Sequence, residues 1–286
     1  MAEYRVKRGD TLSRIARAHG LSLNQLLGMN PRYKADPGHL GVGDRVAVPD
    51  QPGKPERPPE PEPLPDPSPQ ADTGPAEAAT GDWFTLPMGQ LTFDAEGMEK
   101  PGSHYHSRVP HVPGRWSGVT IGRGYDMSQR SKEAIKTDLR QAGVAAGIAN
   151  KFSACSGYKG SRAEAYLQAQ DLADLAITPE QQYYLFLDTY EELAGDVIRI
   201  CTKSDVVEKY GASDWNSLDS TLRDIVVDLR YRGDYTSATR NKVQPIIVAN
   251  SRSRLQRLMA DEQYWRFQLN VPRDRFERRG KYFERG

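Results

Sequence analysis

The sequence predicts an α+β protein in two unequal units, a small βααβ module joined by a proline-rich linker to a mainly helical domain with a small β region. Three observations carry this prediction. Two short β-prone segments, Tyr4-Arg5-Val6 and Arg45-Val46-Ala47-Val48-Pro49, bracket stretches of helical spacing. Residues 52–75 then alternate proline with charged and small residues. Beyond residue 82 most apolar positions recur every three or four residues, the period of a helix with one face on a core. The 286 residues suit two domains at roughly 100 to 200 residues each. The expected boundaries are 1–50, 51–81 and 82–286.

In the first unit Asp10 or Thr11 is placed to cap a helix carrying Leu12, Ile15 and Ala16. Ser22 is placed to cap a second helix carrying Leu26 and Leu27. Asn30-Pro31 ends it, because the residue before proline is pushed out of the helical region. The linker that follows is almost devoid of apolar residues. Proline fixes φ and removes a backbone donor, so such a segment favours extended polyproline II, a semi-rigid spacer or a ligand for proline-binding modules.

The second unit carries stronger signals. Residues 131–144 and 161–176 read as helices, the latter with Ala165, Ala169, Leu172 and Ala176 on one face. Thr178-Pro179-Glu180-Gln181 is a helix start, with a capping threonine, proline at the first turn and glutamine to close a capping box. That helix sends Tyr184, Leu185, Leu187, Tyr190 and Leu193 to the core. Another, from Leu218 to Tyr231, carries Leu222, Ile225, Val226 and Leu229 and stops at Gly233. Two more fit between Thr239 and Arg266, and the β region falls near Val119 to Tyr125.

Lys and Arg total 39 against 38 Asp and Glu, so no global charge drives the chain onto nucleic acid or an anionic membrane. The local basic bias at Arg266, Arg273, Arg275, Arg278, Arg279, Lys281 and Arg285 reads as a solvated tail or an anionic contact. No apolar run approaches the ~18 residues that span a bilayer, and Met1-Ala2-Glu3-Tyr4-Arg5-Val6-Lys7 lacks an apolar signal core. Synthesis as a soluble cytoplasmic protein without membrane insertion is the expectation. Cys155 and Cys201 form no metal spacing; they read as buried free thiols, or as a pair in an oxidising compartment.

The segments Val6-Lys7-Arg8-Gly9-Asp10-Thr11-Leu12, Ile15-Ala16, Leu26-Leu27, Asn30-Pro31 and Leu40-Gly41-Val42-Gly43-Asp44-Arg45-Val46-Ala47-Val48-Pro49 together resemble the lysin motif (LysM). That resemblance implies binding of N-acetylglucosamine-containing glycans in a shallow groove. It implicates Gly9, Asp10, Thr11 and Leu12 on one side and Asn30, Pro31 and Arg32 on the other. The stretch Lys34-Ala35-Asp36-Pro37-Gly38-His39 is an insertion relative to the usual pattern.

The second unit resembles phage-type lysozymes, and more closely the muramidase domain of pesticin-like bacteriocins. The resemblance is carried by Phe93-Asp94-Ala95-Glu96-Gly97, by Ser117-Gly118-Val119-Thr120-Ile121-Gly122-Arg123-Gly124-Tyr125-Asp126, and by Arg230-Tyr231-Arg232-Gly233-Asp234-Tyr235 with Ala238-Thr239-Arg240. Glycosidic cleavage needs a proton on the leaving oxygen and a second group to activate water or stabilise the oxocarbenium-like centre. By resemblance Glu96, near the end of a first helix and facing the cleft, is the general acid. Asp126 is the second carboxylate, placed after the threonine as in the pesticin pattern, and Thr120 holds the water. Gly122 and Gly124 permit tight turns and close approach of a sugar, with Arg123 and Tyr125 packing along the glycan, although Tyr125 is equally a core candidate.

Asp94 reads as a capping or structural residue. His104, His106 and His111 lack a zinc spacing and read as a loop beside the cleft. Gly122-Arg123-Gly124 lacks the third glycine and the βαβ context of a phosphate loop. Asp234 and Arg240 read as a structural pair, with the far cleft wall as the alternative. The combined expectation is a peptidoglycan hydrolase without cofactor or metal, a LysM anchor tethered to a muramidase that cuts between N-acetylmuramic acid and N-acetylglucosamine. Its expected partners are peptidoglycan glycan strands, an immunity protein and a secretion or injection apparatus. Delivery to a target periplasm or wall would be as an injected effector, a bacteriocin or a phage endolysin. The rivals are a non-catalytic wall-binding or phage-tail-like assembly protein and a lytic transglycosylase.

Overall fold

A computed structural model of the protein describes residues 2–7, 10–19, 21, 23–35, 40–41, 43–49, 83–103 and 106–284. The expected linker at 51–81, the Ser22 cap, Gly9, His104 and most of the inserted stretch lie outside the described residues. The architecture is α+β, with two small two-stranded sheets and a mainly helical second unit.

In the N-terminal unit β1 (Ala2–Arg5) pairs antiparallel with β2 (Arg45–Val48), Ala2 opposite Val48 and Arg5 opposite Arg45. Between them run α1 (Leu12–Ala18), α2 (Leu23–Met29) and a third short helix, α3 (Pro31–Ala35). Pro31 opens α3, where its missing N–H costs nothing, so the expected helix stop is also a helix start. Leu12, Ile15, Ala16, Leu26, Leu27, Tyr33, Val46 and Val48 form the core. Asn30 is buried and holds the module shut. Its amide donates to Leu26 O and Ala47 O, both at 2.8 Å, and accepts from Ala47 N at 2.7 Å. Asn30→Ala is expected to cost roughly 1–3 kcal/mol, because the Ala47 groups lose their partner. A lowered urea midpoint for unfolding of this unit is the measurement.

The second unit begins with α4 (Gln90–Ala95), followed by a long loop to the hairpin β3 (Thr120–Ile121) and β4 (Tyr125–Asp126). Then come α5 (Lys132–Gln141), α6 (Ala146–Ser153), α7 (Gly160–Ala169), α8 (Pro179–Cys201), α9 (Ser204–Tyr210), α10 (Ser220–Arg232), α11 (Ser237–Val248), α12 (Arg252–Met259) and α13 (Arg273–Lys281). The capping box at α8 is formed: Gln181 N donates to Thr178 Oγ1 at 3.1 Å and Thr178 N donates to Gln181 Oε1 at 3.0 Å. From Gln182 to Tyr190 every residue of α8 is buried, so this helix is the axis of the core. Gly233, with φ 88°, ends α10 as expected.

Two expectations are corrected. α7 stops at Ala169, where Asp171 turns left-handed with φ 53°. Its buried face is Ala163 and Leu167, whereas Ala165 and Ala169 are exposed. The basic C-terminal run is not a solvated tail: within α13 Arg275 and Arg279 are buried. Cys155 and Cys201 are buried free thiols, and burial pushes the Cys155 thiol up to about 12. Among the described residues no helix is long and apolar enough to cross a membrane.

Candidate functional site: a cleft between helix α4 and the β3–β4 hairpin

Glu96 caps the C-terminal end of α4, its backbone N–H bonded to Thr92 O. It lines a cleft of about 270 Å³ together with Gly97, His111, Pro113, Thr120, Gly122 and Gly124. The hairpin supplies the opposite wall. Gly122 and Gly124 have φ 65° and 82°, conformations that side chains on L-residues disfavour, and they make the two-strand turn possible. A Cβ on Gly124 would also strike the Tyr231 hydroxyl. That hydroxyl donates to Arg123 O. It is pushed up first by burial and then by the Glu96 charge. His111 forms a bridge with Thr120 through both backbone groups, at 2.9 and 2.8 Å, so the loop before the hairpin forms part of the cleft wall.

Thr120 and Asp126 are opposite each other in the ladder, which puts their side chains on one face. They are used differently. Thr120 lines the cleft, whereas Asp126 does not. The Asp126 carboxylate accepts from Ser128 N at 2.7 Å and Gly118 N at 3.3 Å, capping the 3₁₀ turn Met127–Gln129. Asp126→Ala is therefore expected to lower stability by about 1 kcal/mol, the usual loss for a cap, in denaturant unfolding.

Arg123 and Tyr125, expected along the glycan, face inward. The Arg123 guanidinium lies 3.9 Å from the Phe93 ring centroid and donates to Phe93 O at 2.6 Å and to Glu99 at 2.8 Å. It fills the space where a Cβ on Gly97 would stand, which explains the glycine directly after Glu96. Tyr125 is buried and its hydroxyl donates to Asp138 at 2.7 Å, so burial, and next the Asp138 charge, push it well above the usual tyrosine range. Alternation in a two-residue strand explains this: Thr120 and Asp126 take one face and Ile121 and Tyr125 the other.

Sequence reasoning missed the support beneath Glu96. Arg275 Nη1 donates to the Glu96 carboxylate, and Nη2 donates to Asp228 Oδ1 at 2.5 Å. Asp228 is fully buried and also accepts from Arg279 Nε at 2.7 Å and Thr92 Oγ1 at 3.1 Å. Arg279 reaches on to Asp234 at 2.8 Å, so Asp234 is structural, but with Arg279 and Arg232 as its cations rather than Arg240. Burial alone would push Asp228 up, and the Arg279 and Arg275 charges outweigh it and hold Asp228 below the carboxylate range. The available signal was the spacing of Arg275 and Arg279, four apart on one face of α13, both of which reach Asp228. A second cluster fixes the loop after Glu96. Glu99 accepts from Gln182 at 2.7 Å, Arg108 at 3.0 Å and Arg123, with His106 at 3.7 Å. Asp94 accepts from Gln90 Nε2 at 2.8 Å within α4 and stays out of the Glu96 cleft.

On the N-terminal unit the expected groove residues divide. Leu12 and Asn30 are interior. The Asp10 carboxylate accepts from Lys7 N at 2.7 Å and from the Tyr4 hydroxyl at 2.8 Å, shaping the loop rather than projecting from it. Thr11 is half-buried, whereas Pro31 and Arg32 are exposed. Arg32 donates to Arg45 O at 2.7 Å.

Among known families, residues 4–49 match the LysM domain, which implies peptidoglycan binding by this unit. Residues 89–280 match a family described as a domain of unknown function, DUF8812. No curated protein matches the chain. The DUF8812 match covers more than half of the chain and takes in both Glu96 and Arg275, and the chain belongs to that family, with a LysM domain ahead of it.

Proposed function

We propose that the second domain is a muramidase, hydrolysing the bond between N-acetylmuramic acid and N-acetylglucosamine in the peptidoglycan that the LysM domain holds. The observation that carries the proposal is the shared cleft. Glu96, at a helix end, lines one cleft with Thr120 and with the hairpin glycines Gly122 and Gly124, whose positive φ makes the turn. In this mechanism Glu96 protonates the leaving oxygen and the Thr120 hydroxyl orients the attacking water, with Asp126, which shares the hairpin face of Thr120 but stands outside the cleft lining, as the second carboxylate. The chemistry requires no cofactor. A weak wall-binding module tethered to the enzyme raises the effective concentration of an insoluble substrate. Action in a target periplasm or wall requires delivery, by injection, bacteriocin release or a phage holin; an immunity protein plugging the Glu96 cleft would belong with the first two.

One observation favours a second reading. Both Asp126 oxygens are occupied by backbone N–H groups, and a lytic transglycosylase needs a single acid and no water. Mass analysis of soluble fragments released from purified peptidoglycan by the full chain tests both. Reducing-end muropeptides support hydrolysis and anhydro ends the transglycosylase. An absence of fragments from folded protein would leave a wall-binding or assembly role.

A further inference from the structure

Between the His111 bridge and β3 the chain makes a tight turn over residues 114–117, closed by Ser117 N donating to Gly114 O at 2.9 Å. The turn is anchored from outside. Gly160 N, at the start of α7, donates to Ser117 O at 3.0 Å. Gly160 has φ 50°, and a Cβ there would meet the Arg115 backbone oxygen at 2.7 Å, so the turn is pressed against α7. Residues 113–116 are nonetheless all exposed, and Trp116 at the tip is 75 % exposed, the most exposed large apolar side chain among the described residues. The Arg115 guanidinium lies over one indole face, 4.9 Å from the ring centroid.

Leaving an indole in water forgoes the burial that normally stabilises it, and its exposed ring face offers a flat apolar surface to a ligand. Its position identifies the occupant. Pro113 and Thr120, on either side of the turn, both line the Glu96 cleft, and Trp116, itself outside that lining, stands at most ~11 Å of chain from Pro113. The geometry points to Trp116 as a saccharide platform: the apolar C–H face of an N-acetylated pyranose stacks on the free indole face while Arg115 donates to the sugar's acetamido or carboxylate oxygens. This inference rests on the proposed glycan-cleaving role of the cleft and extends it to a neighbouring sugar.

The test uses tryptophan emission of the full chain carrying Glu96→Gln, titrated with a soluble N-acetylated chito-oligosaccharide. The LysM segment contains no tryptophan; Trp265 is buried, and Trp83 and Trp215 are partly buried. The expected result is a saturable blue shift that Trp116→Ala abolishes and Trp116→Phe leaves bound but silent. In the Glu96 protein, Trp116→Ala is expected to raise KM on soluble glycan roughly tenfold, with a smaller change in kcat. Fragment release with unchanged KM and an unchanged shift in Trp116→Ala would overturn the platform while leaving the muramidase proposal intact. A Trp116-dependent shift without fragment release from the Glu96 protein would support the platform and remove the muramidase. A shift that tracks protein concentration without saccharide would assign Trp116 to self-association and overturn the inference.

Discussion

Glu96→Gln is expected to reduce release of soluble muropeptides by a factor of about 10² to 10⁴, the usual contribution of a positioned general acid. The substitution keeps the shape of the side chain and removes the transferable proton. Folding is expected to survive it. The Glu96 side chain is only partly buried, and Arg275 retains both oxygens of Asp228 when its outer partner becomes neutral. Far-UV circular dichroism and sedimentation with peptidoglycan should therefore match the parent, because the wall-binding LysM domain is untouched. Equal fragment release from both proteins would show that the acid lies elsewhere.

Asp228→Asn is expected to be the most destabilising single change, at about 3–5 kcal/mol, since it leaves two buried guanidiniums short of their shared anion. For a unit of this size that corresponds to a fall of roughly 6 to 20 °C in the unfolding midpoint. The pH dependence follows from the direction of the Asp228 shift. Its folded value lies below the ordinary 3.8, so its stabilisation is complete above that value and is lost as pH falls through the lower folded one. Acid unfolding of the parent should thus steepen below about pH 4, whereas the Asn variant should lack that contribution. A calorimetric midpoint within a few degrees of the parent would show the network to be dispensable.

Local signals were legible in the sequence. The capping box at Thr178, the stop at Gly233 and the apolar period of α10 involve residues within four positions of one another, and each is found as expected. The two helices of the βααβ module were legible for the same reason, apart from the one-turn α3, while its strands, Ala2 opposite Val48, were legible as the two β-prone segments that bracket them. Glu96 and Thr120, singled out by motif, line one cleft. What escaped were partnerships set by tertiary packing. Arg123 looked like a cleft residue because nothing in Gly122-Arg123-Gly124 reveals that Phe93 and Glu99 stand behind it. Arg275 and Arg279 looked solvated because basic residues surround them in sequence, while their anions are on α10.

The Glu96–Arg275 pair joins residues 179 positions apart. Glu96 stands near the start of the unit and its cation arrives only with α13. Formation of that pair must close nearly the whole domain as a single loop, a late and slow kind of contact. On a ribosome the cleft would stay incomplete until almost all of the domain had emerged. A chain interrupted before α13 would carry the Glu96–Thr120 motif without the brace that orients it, so synthesis itself would impose an order in which the site is assembled last.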